Sequence, residues 1–221
     1  MSNSRCPACC GNRPDAAGGG QDSVSGADQT TVAVYDRRAA DYADIALTPD
    51  TRARLDAFIA ALPAGGTALD LGCGPGWAAA AMRDAGLTVA ALDAAPAMAE
   101  VAQARYGLSV TVATFDSVTQ VAAYDGIWAH FSLLHAPRAD FPAHLAALHR
   151  ALRPGGQLFL AMKLGTGEGR DRLDRFYSYF TADELRAHLR RAGFTLTGEQ
   201  TEAIKGFDGT RSSAIYMRAH A

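Results

Sequence analysis

Residues 69–76, LDLGCGPG, constrain this chain more than any other stretch. An apolar run ends in Asp70 and passes at once into a turn holding Gly72, Gly74 and Gly76. Glycine lets a backbone turn tightly and approach a neighbour because no Cβ stands in the way. WAAAAMRDAG follows and reads as a helix over 77–85 closed by Gly86. A strand, a glycine turn and a helix in that order make a ligand site at the carboxyl edge of a parallel sheet, an arrangement that nucleotide cofactors use.

Two cofactor chemistries compete for that turn. A dinucleotide site needs G-x-G-x-x-G/A so that a helix N-terminus can take a pyrophosphate. Counted from Gly72 the third glycine falls on Trp77 and the pattern fails; counted from Gly74 it is formally met by Ala79. The second register leaves Asp70 beside an anion. S-adenosylmethionine is cationic at its sulfonium and ammonium groups, so an acid ahead of the first glycine suits it by charge. The next apolar run, TVAALD (88–93), ends in Asp93, placed to accept from ribose hydroxyls. That feature fits NAD and S-adenosylmethionine equally. A third run, SVTVATF, predicts a strand over 109–115 and leads into Asp116 and Ser117, where the acid can accept from an adenine amino group.

Together with ALDAAPAM (91–98), ATFDSV (113–118), YDGIWAHFSLLHAP (124–137) and LRPGGQLFLAMK (152–163), LDLGCGPG resembles the class I S-adenosylmethionine-dependent methyltransferases of the small-molecule methyltransferase-domain type. The resemblance runs from about residue 32 to 220. It implies a Rossmann-like doubly wound α/β fold: a seven-stranded sheet, mostly parallel with one antiparallel C-terminal edge strand. It implies S-adenosylmethionine as donor and S-adenosylhomocysteine as product. Asp70 would then lie near the methionine ammonium, Gly72 and Gly74 under the cofactor, Asp93 on the ribose, and Asp116 with Ser117 beside the adenine. In relatives an N-terminal helix lies over the cofactor, which makes Tyr35 and Tyr42 further cofactor-binding candidates. Two other classes stay open. One is a non-catalytic or regulatory protein that binds the cofactor on the same fold. The other is an NAD-dependent oxidoreductase, against which Asp70 and Trp77 both argue.

Composition bounds the rest. The 221 residues suffice for one sizeable core, and no apolar run reaches the roughly 18 residues that would span a bilayer, so no membrane partner is expected. A net charge of −2 gives no basic footprint for nucleic acid. Residues 1–31 are rich in Gly, Ser, Asp and Ala without apolar periodicity and read as a disordered tail ahead of a domain over 32–221. The tail holds Cys6, Cys9 and Cys10. Cys6-x-x-Cys9 is half of a zinc set with no second pair, so no metal is expected. Nothing suggests a disulfide framework, and a reducing cytoplasm is the expected compartment.

From residue 32 the elements alternate. VAVYDRRAADYADIAL reads as one helix, with Tyr35, Arg38 and Tyr42 at helical spacing. Thr48 and Pro49 read as the N-cap and first residue of the next helix. A helix from Asp140 to Arg153 precedes a turn at Pro154–Gly156, and Thr181 with Glu184 forms a capping box. TLTGEQTEA and SAIYMRAH follow without a helix between them and pair antiparallel at the sheet edge.

Methyl transfer is in-line displacement at carbon, so an enzyme must align the nucleophile and, for a hydroxyl of high pKa, supply a base. His135 and His130, near the tip of the fourth predicted strand, are the candidate catalytic residues; His144 and His149 read as surface residues of the next helix. The segment KLGTGEGRDRLDRFYSYF (163–180) reads as a loop with glycine hinges, cations and an aromatic cluster. Arg170, Arg175 and Tyr177 are its candidate acceptor contacts, suited to an anionic or aromatic small molecule.

Overall fold

The structure, a computed structural model, describes residue 1, residues 26–45 and residues 47–221. The expected tail falls largely on residues 2–25, which with Cys6, Cys9 and Cys10 lie outside the described residues.

Seven helices and nine strands alternate along the described chain. The helices are α1 (Gln29–Arg37), α2 (Ala39–Ala43), α3 (Pro49–Ala60), α4 (Trp77–Asp84), α5 (Pro96–Tyr106), α6 (Phe141–Ala151) and α7 (Ala182–Arg191). The strands are β1 (Thr67–Leu71), β2 (Thr88–Asp93), β3 (Val110–Val112), β4 (Tyr124–His130), β5 (Leu152–Lys163), β6 (Glu168–Arg170), β7 (Phe176–Ser178), β8 (Thr195–Lys205) and β9 (Arg211–His220).

Seven strands form one sheet in the order β3-β2-β1-β4-β5-β9-β8. The first five pair in parallel; β9 alone runs against the direction of the other six. It enters at the C-terminal edge as half of the β8/β9 hairpin, which leaves β8 outermost. The central strands read as continuous apolar runs because helices cover both faces. Period-two alternation divides their side chains. Ile127 and Ala129 face a core shared with Phe141, Leu145 and Leu185, while Trp128 faces one shared with Leu55, Phe58 and Met82. Chain order reverses between β1 and β4, and such a switch point leaves a crevice beyond the strand tips.

Local signals hold where a cap decides them. Thr48 caps α3, accepting from Thr51 N at 3.1 Å, and Thr181 with Glu184 closes the capping box of α7. Other expectations change. The single helix over 32–47 is two, broken at Arg38 (φ −117°, ψ 16°). Strand β3 stops at Val112, and Phe115–Ser117 is a 3-10 turn. Helix α6 ends at Ala151 because Pro154 demands extended chain before it; β5 already begins at Leu152. The segment expected as a hinged loop is the β6/β7 hairpin. His144 is buried, its ring packed 5.7 Å from that of Phe115, and is no surface residue.

Candidate active site

At the switch point the glycine turn is built for close approach. Gly72 has φ +69°, and a Cβ there would stand 2.4 Å from Ser132 Cβ, so only glycine lets the exits of β1 and β4 meet. Gly74 has φ +52° with nothing within 4 Å of where a Cβ would lie, and it opens onto a cavity. Asp93, the last residue of β2, pins this turn. Its Oδ2 accepts from Gly74 N at 2.7 Å and its Oδ1 from Ala95 N at 2.9 Å. Each oxygen keeps a lone pair beyond those bonds. Burial raises the Asp93 carboxyl above its ordinary range, against the pull of the two amides.

Asp70 is 2% exposed, and its Oδ2 has no hydrogen-bond partner. Burial pushes this carboxyl up to about 7, opposed by the backbone amide of Ala79 and reinforced by the charge of Asp93. It lies behind the cavity wall: Gly72–Pro75 and Asp93–Ala95 line the cavity and Asp70 does not.

The cavity measures about 860 Å³. Its far wall is a polar network inside an aromatic shell. His135 Nδ1 lies 2.6 Å from the Phe176 carbonyl, which can only accept, so Nδ1 carries the proton. Nε2 is then the acceptor for the Tyr35 hydroxyl at 2.7 Å. Burial pushes His135 down to about 4, so it is neutral near pH 7. Arg175 is 1% exposed, held 2.5 Å from Asp171, and its Nη1 donates to Tyr42 Oη and, at 3.2 Å, to Tyr35 Oη. The ring of Tyr177 packs 4.7 Å from that of His135. On another wall His130 stacks on Trp128, with its Nε2 buried and unpartnered. Burial, helped by Arg54, pushes His130 down to about 4.

Of the sequence candidates, Gly72, Gly74, Asp93, Tyr35, Tyr42, His130, His135, Arg175 and Tyr177 meet at this cavity. Three do not. Asp116 and Ser117 are exposed and absent from the lining; Thr114 and Phe115 hold that place. The cause is the early end of β3, after which the 3-10 turn carries the acid outward, 3.8 Å from His144. Arg170 is exposed on β6, absent from the lining, and spent on Asp28 at 2.7 Å and on the Asp174 carbonyl. Sequence reasoning missed Phe207, whose ring packs 4.3 Å from Tyr42, and Asp171, which neutralises Arg175. Only the FDG turn between two strand patterns hinted at the first; nothing local marked the second.

A family model described as a methyltransferase domain matches residues 46–199. The chain belongs to that family. Among curated relatives, this methyltransferase domain is 34% identical over 136 residues to malonyl-[acyl-carrier protein] O-methyltransferase of Serratia marcescens, a match covering 60% of the chain and 52% of the relative. It is 36% identical over 107 residues to ubiquinone biosynthesis O-methyltransferase of Xanthomonas axonopodis pv. citri, covering 45% and 44%. The chain thus spans about half the length of these relatives. Among solved structures it resembles Burkholderia thailandensis 1,6-didemethyltoxoflavin-N1-methyltransferase, crystallised with 1,6-didemethyltoxoflavin and S-adenosylhomocysteine. The TM-score is 0.67 at 23% identity, with 87% of each chain covered, a likeness of fold. Among the described residues no helix is long and apolar enough to cross a membrane.

Proposed function

We propose that this chain methylates an oxygen or nitrogen of a small-molecule acceptor, with S-adenosylmethionine as donor and S-adenosylhomocysteine as product. The observation that carries the reading is the joint arrangement of Asp70, the Gly72–Gly74 turn and Asp93. A buried carboxylate oxygen without a partner is costly, and a cationic group answers it better than any neutral one. From behind the cavity wall the unpartnered Asp70 Oδ2 therefore favours, by its charge, an ammonium group over a pyrophosphate. Gly74 leaves open space at the cavity wall, and Asp93 keeps lone pairs for ribose hydroxyls. Tyr35 and Tyr42 close the cavity from α1 and α2.

S-adenosylmethionine, when bound, supplies an electrophilic methyl on a good leaving group. The chain's own residues must align the nucleophile and receive its proton. His135 is the proton acceptor in this reading: Nδ1 is committed to the Phe176 carbonyl, and Nε2 accepts directly or through the Tyr35 hydroxyl. An imidazole held down to about 4 takes protons only from acidic donors, which suits an acceptor whose attacking group ionises readily. His130 supports the cavity by stacking and offers Nε2 as a hydrogen-bonding site. Arg175 and Tyr177 shape the acceptor side, with the Arg175 charge already balanced by Asp171.

The test is calorimetric titration of the chain with S-adenosylmethionine and, separately, NAD, repeated on Asp93→Ala. S-adenosylmethionine binding that falls at least about tenfold in a folded variant, with no NAD binding, supports the proposal. Binding of NAD in its place refutes it. Binding without turnover across a broad panel of hydroxyl and amine acceptors, using labelled donor, would turn the reading to a regulatory protein.

A further inference from the structure

Lys163 ends β5 with only 6% of its surface exposed, and that remnant faces the cavity. Its ammonium lies over the Tyr177 ring, 4.2 Å from the centroid. Among the described residues it has neither a hydrogen-bond partner nor a carboxylate within ion-pairing distance. Two acids are near enough to act through space, Asp171 and Asp208, but neither bonds the ammonium: Asp171 is engaged through both oxygens and Asp208 through one. Asp171 Oδ1 accepts from the backbone amides of Leu173 and Arg175, and Oδ2 takes the Arg175 guanidinium. Asp208 Oδ1 accepts from Thr210 N at 3.1 Å and Thr210 Oγ1 at 2.7 Å. The neighbouring cation, Arg175, is neutralised by Asp171, so it does not compete for an incoming anion. A buried ammonium that stacks on a ring face and bonds no anion directly is expensive unless a ligand completes it. Beside it the walls are flat and aromatic, from Tyr177, Phe207 and Phe131.

We infer that the acceptor is an acid: a carboxylate or comparable oxyanion on a flat apolar body, with its charge on the Lys163 ammonium and its body against Tyr177 and Phe207. Calling this ligand the acceptor rests on the methyl-transfer reading above; the acid site itself does not. The anionic preference assigned from sequence to the arginines of 163–180 thereby moves to the lysine that opens that segment. Arg170 is paired with Asp28 and Arg175 with Asp171.

Benzoate and its neutral isostere benzamide are the probes. Each is titrated calorimetrically into the full chain, with and without S-adenosylhomocysteine, and again into Lys163→Met and Lys163→Arg. The expected result is a preference for benzoate of about tenfold or more in the unaltered chain, because hydrogen bonds to charged groups are the strong ones. Lys163→Met should erase that preference and Lys163→Arg should retain it. Equal binding of the two probes to the unaltered chain overturns the inference, as does a preference that survives Lys163→Met. The unaltered chain decides the first point even if the Met variant fails to fold. S-adenosylhomocysteine binding is read in the same runs. If it is absent while the benzoate preference holds and depends on Lys163, the methyl-transfer reading falls and the acid site stands. The reverse pattern separates them the other way.

Discussion

Asp70 carries a protonation cost that can be read in solution. Burial holds its carboxyl up to about 7, against about 4 in an unfolded chain. Between those values the folded protein keeps a proton that the unfolded chain has lost, so this residue lowers stability as pH rises from about 4 to 7. Asp70→Asn keeps the shape and removes the charge. Its stability in urea should match that of the unaltered chain near pH 4 and exceed it at pH 8, by as much as a few kcal/mol at about 1.4 kcal/mol per unit of pKa shift. Donor binding should weaken in the same variant. A stability gain without a binding loss would place the ammonium elsewhere. The places of Gly72, Gly74 and Asp93 were legible because one demand fixes each: a tight turn after the first strand and an acid at the next strand tip. Asp116 was not, because its use depended on where β3 stopped, and three residues of early termination turned it to solvent.

Helix α1 works as a strap between distant segments. Asp28 caps its start, accepting from Thr31 N at 2.8 Å, and binds Arg170 of β6. Thr31 Oγ1 accepts from Phe176 N of β7 at 2.8 Å. Asp36 Oδ1 accepts from Ala97 N at 2.9 Å, doing for α5 what its own N-cap residue, Ala95, cannot. Asp36→Ala should cost about 1 kcal/mol, the usual worth of a cap, and raise amide exchange across α1 and the first turn of α5 while β1 and β4 stay protected. Uniform exchange across the chain would refute the strap. Elements set by short-range signals were readable: the capping box of α7, the Thr48–Pro49 start of α3, the strand endings beside glycine. The break at Arg38 and the β6/β7 hairpin were not. Arg38 carries no glycine or proline; its guanidinium lies 4.9 Å from the centroid of Phe207, a partner far along the chain. The hairpin takes its place from Asp28, Thr31 and His135, none of which its own sequence announces.

Over the whole molecule, proton binding by opposed groups sets the response to acid. His130 and His135 are each held down to about 4, so the unfolded chain takes up protons near pH 6.5 that the folded one refuses. Each contributes stability that is complete above about 6.5 and is lost as pH falls toward 4. Asp70 and Asp93 work in the other direction over an overlapping range, which flattens the profile. Replacing His130 by Phe, which can occupy the stack on Trp128, should therefore stabilise the protein at pH 5 relative to pH 8 by roughly 2 kcal/mol. The check is the difference between the two denaturation curves at both values; a pH-independent difference would mean that His130 titrates normally. The same sheet that assembles these groups has two open borders, and their construction bears on how the molecule behaves in a crowd. One border, β3, is three residues long. The other, β8, is interrupted by a bulge between Leu196 and Gly198 and carries Glu199, Glu202 and Lys205. Short, kinked and charged margins resist strand-to-strand adhesion between copies, so the long C-terminal hairpin can complete the cavity without making the protein self-adhesive.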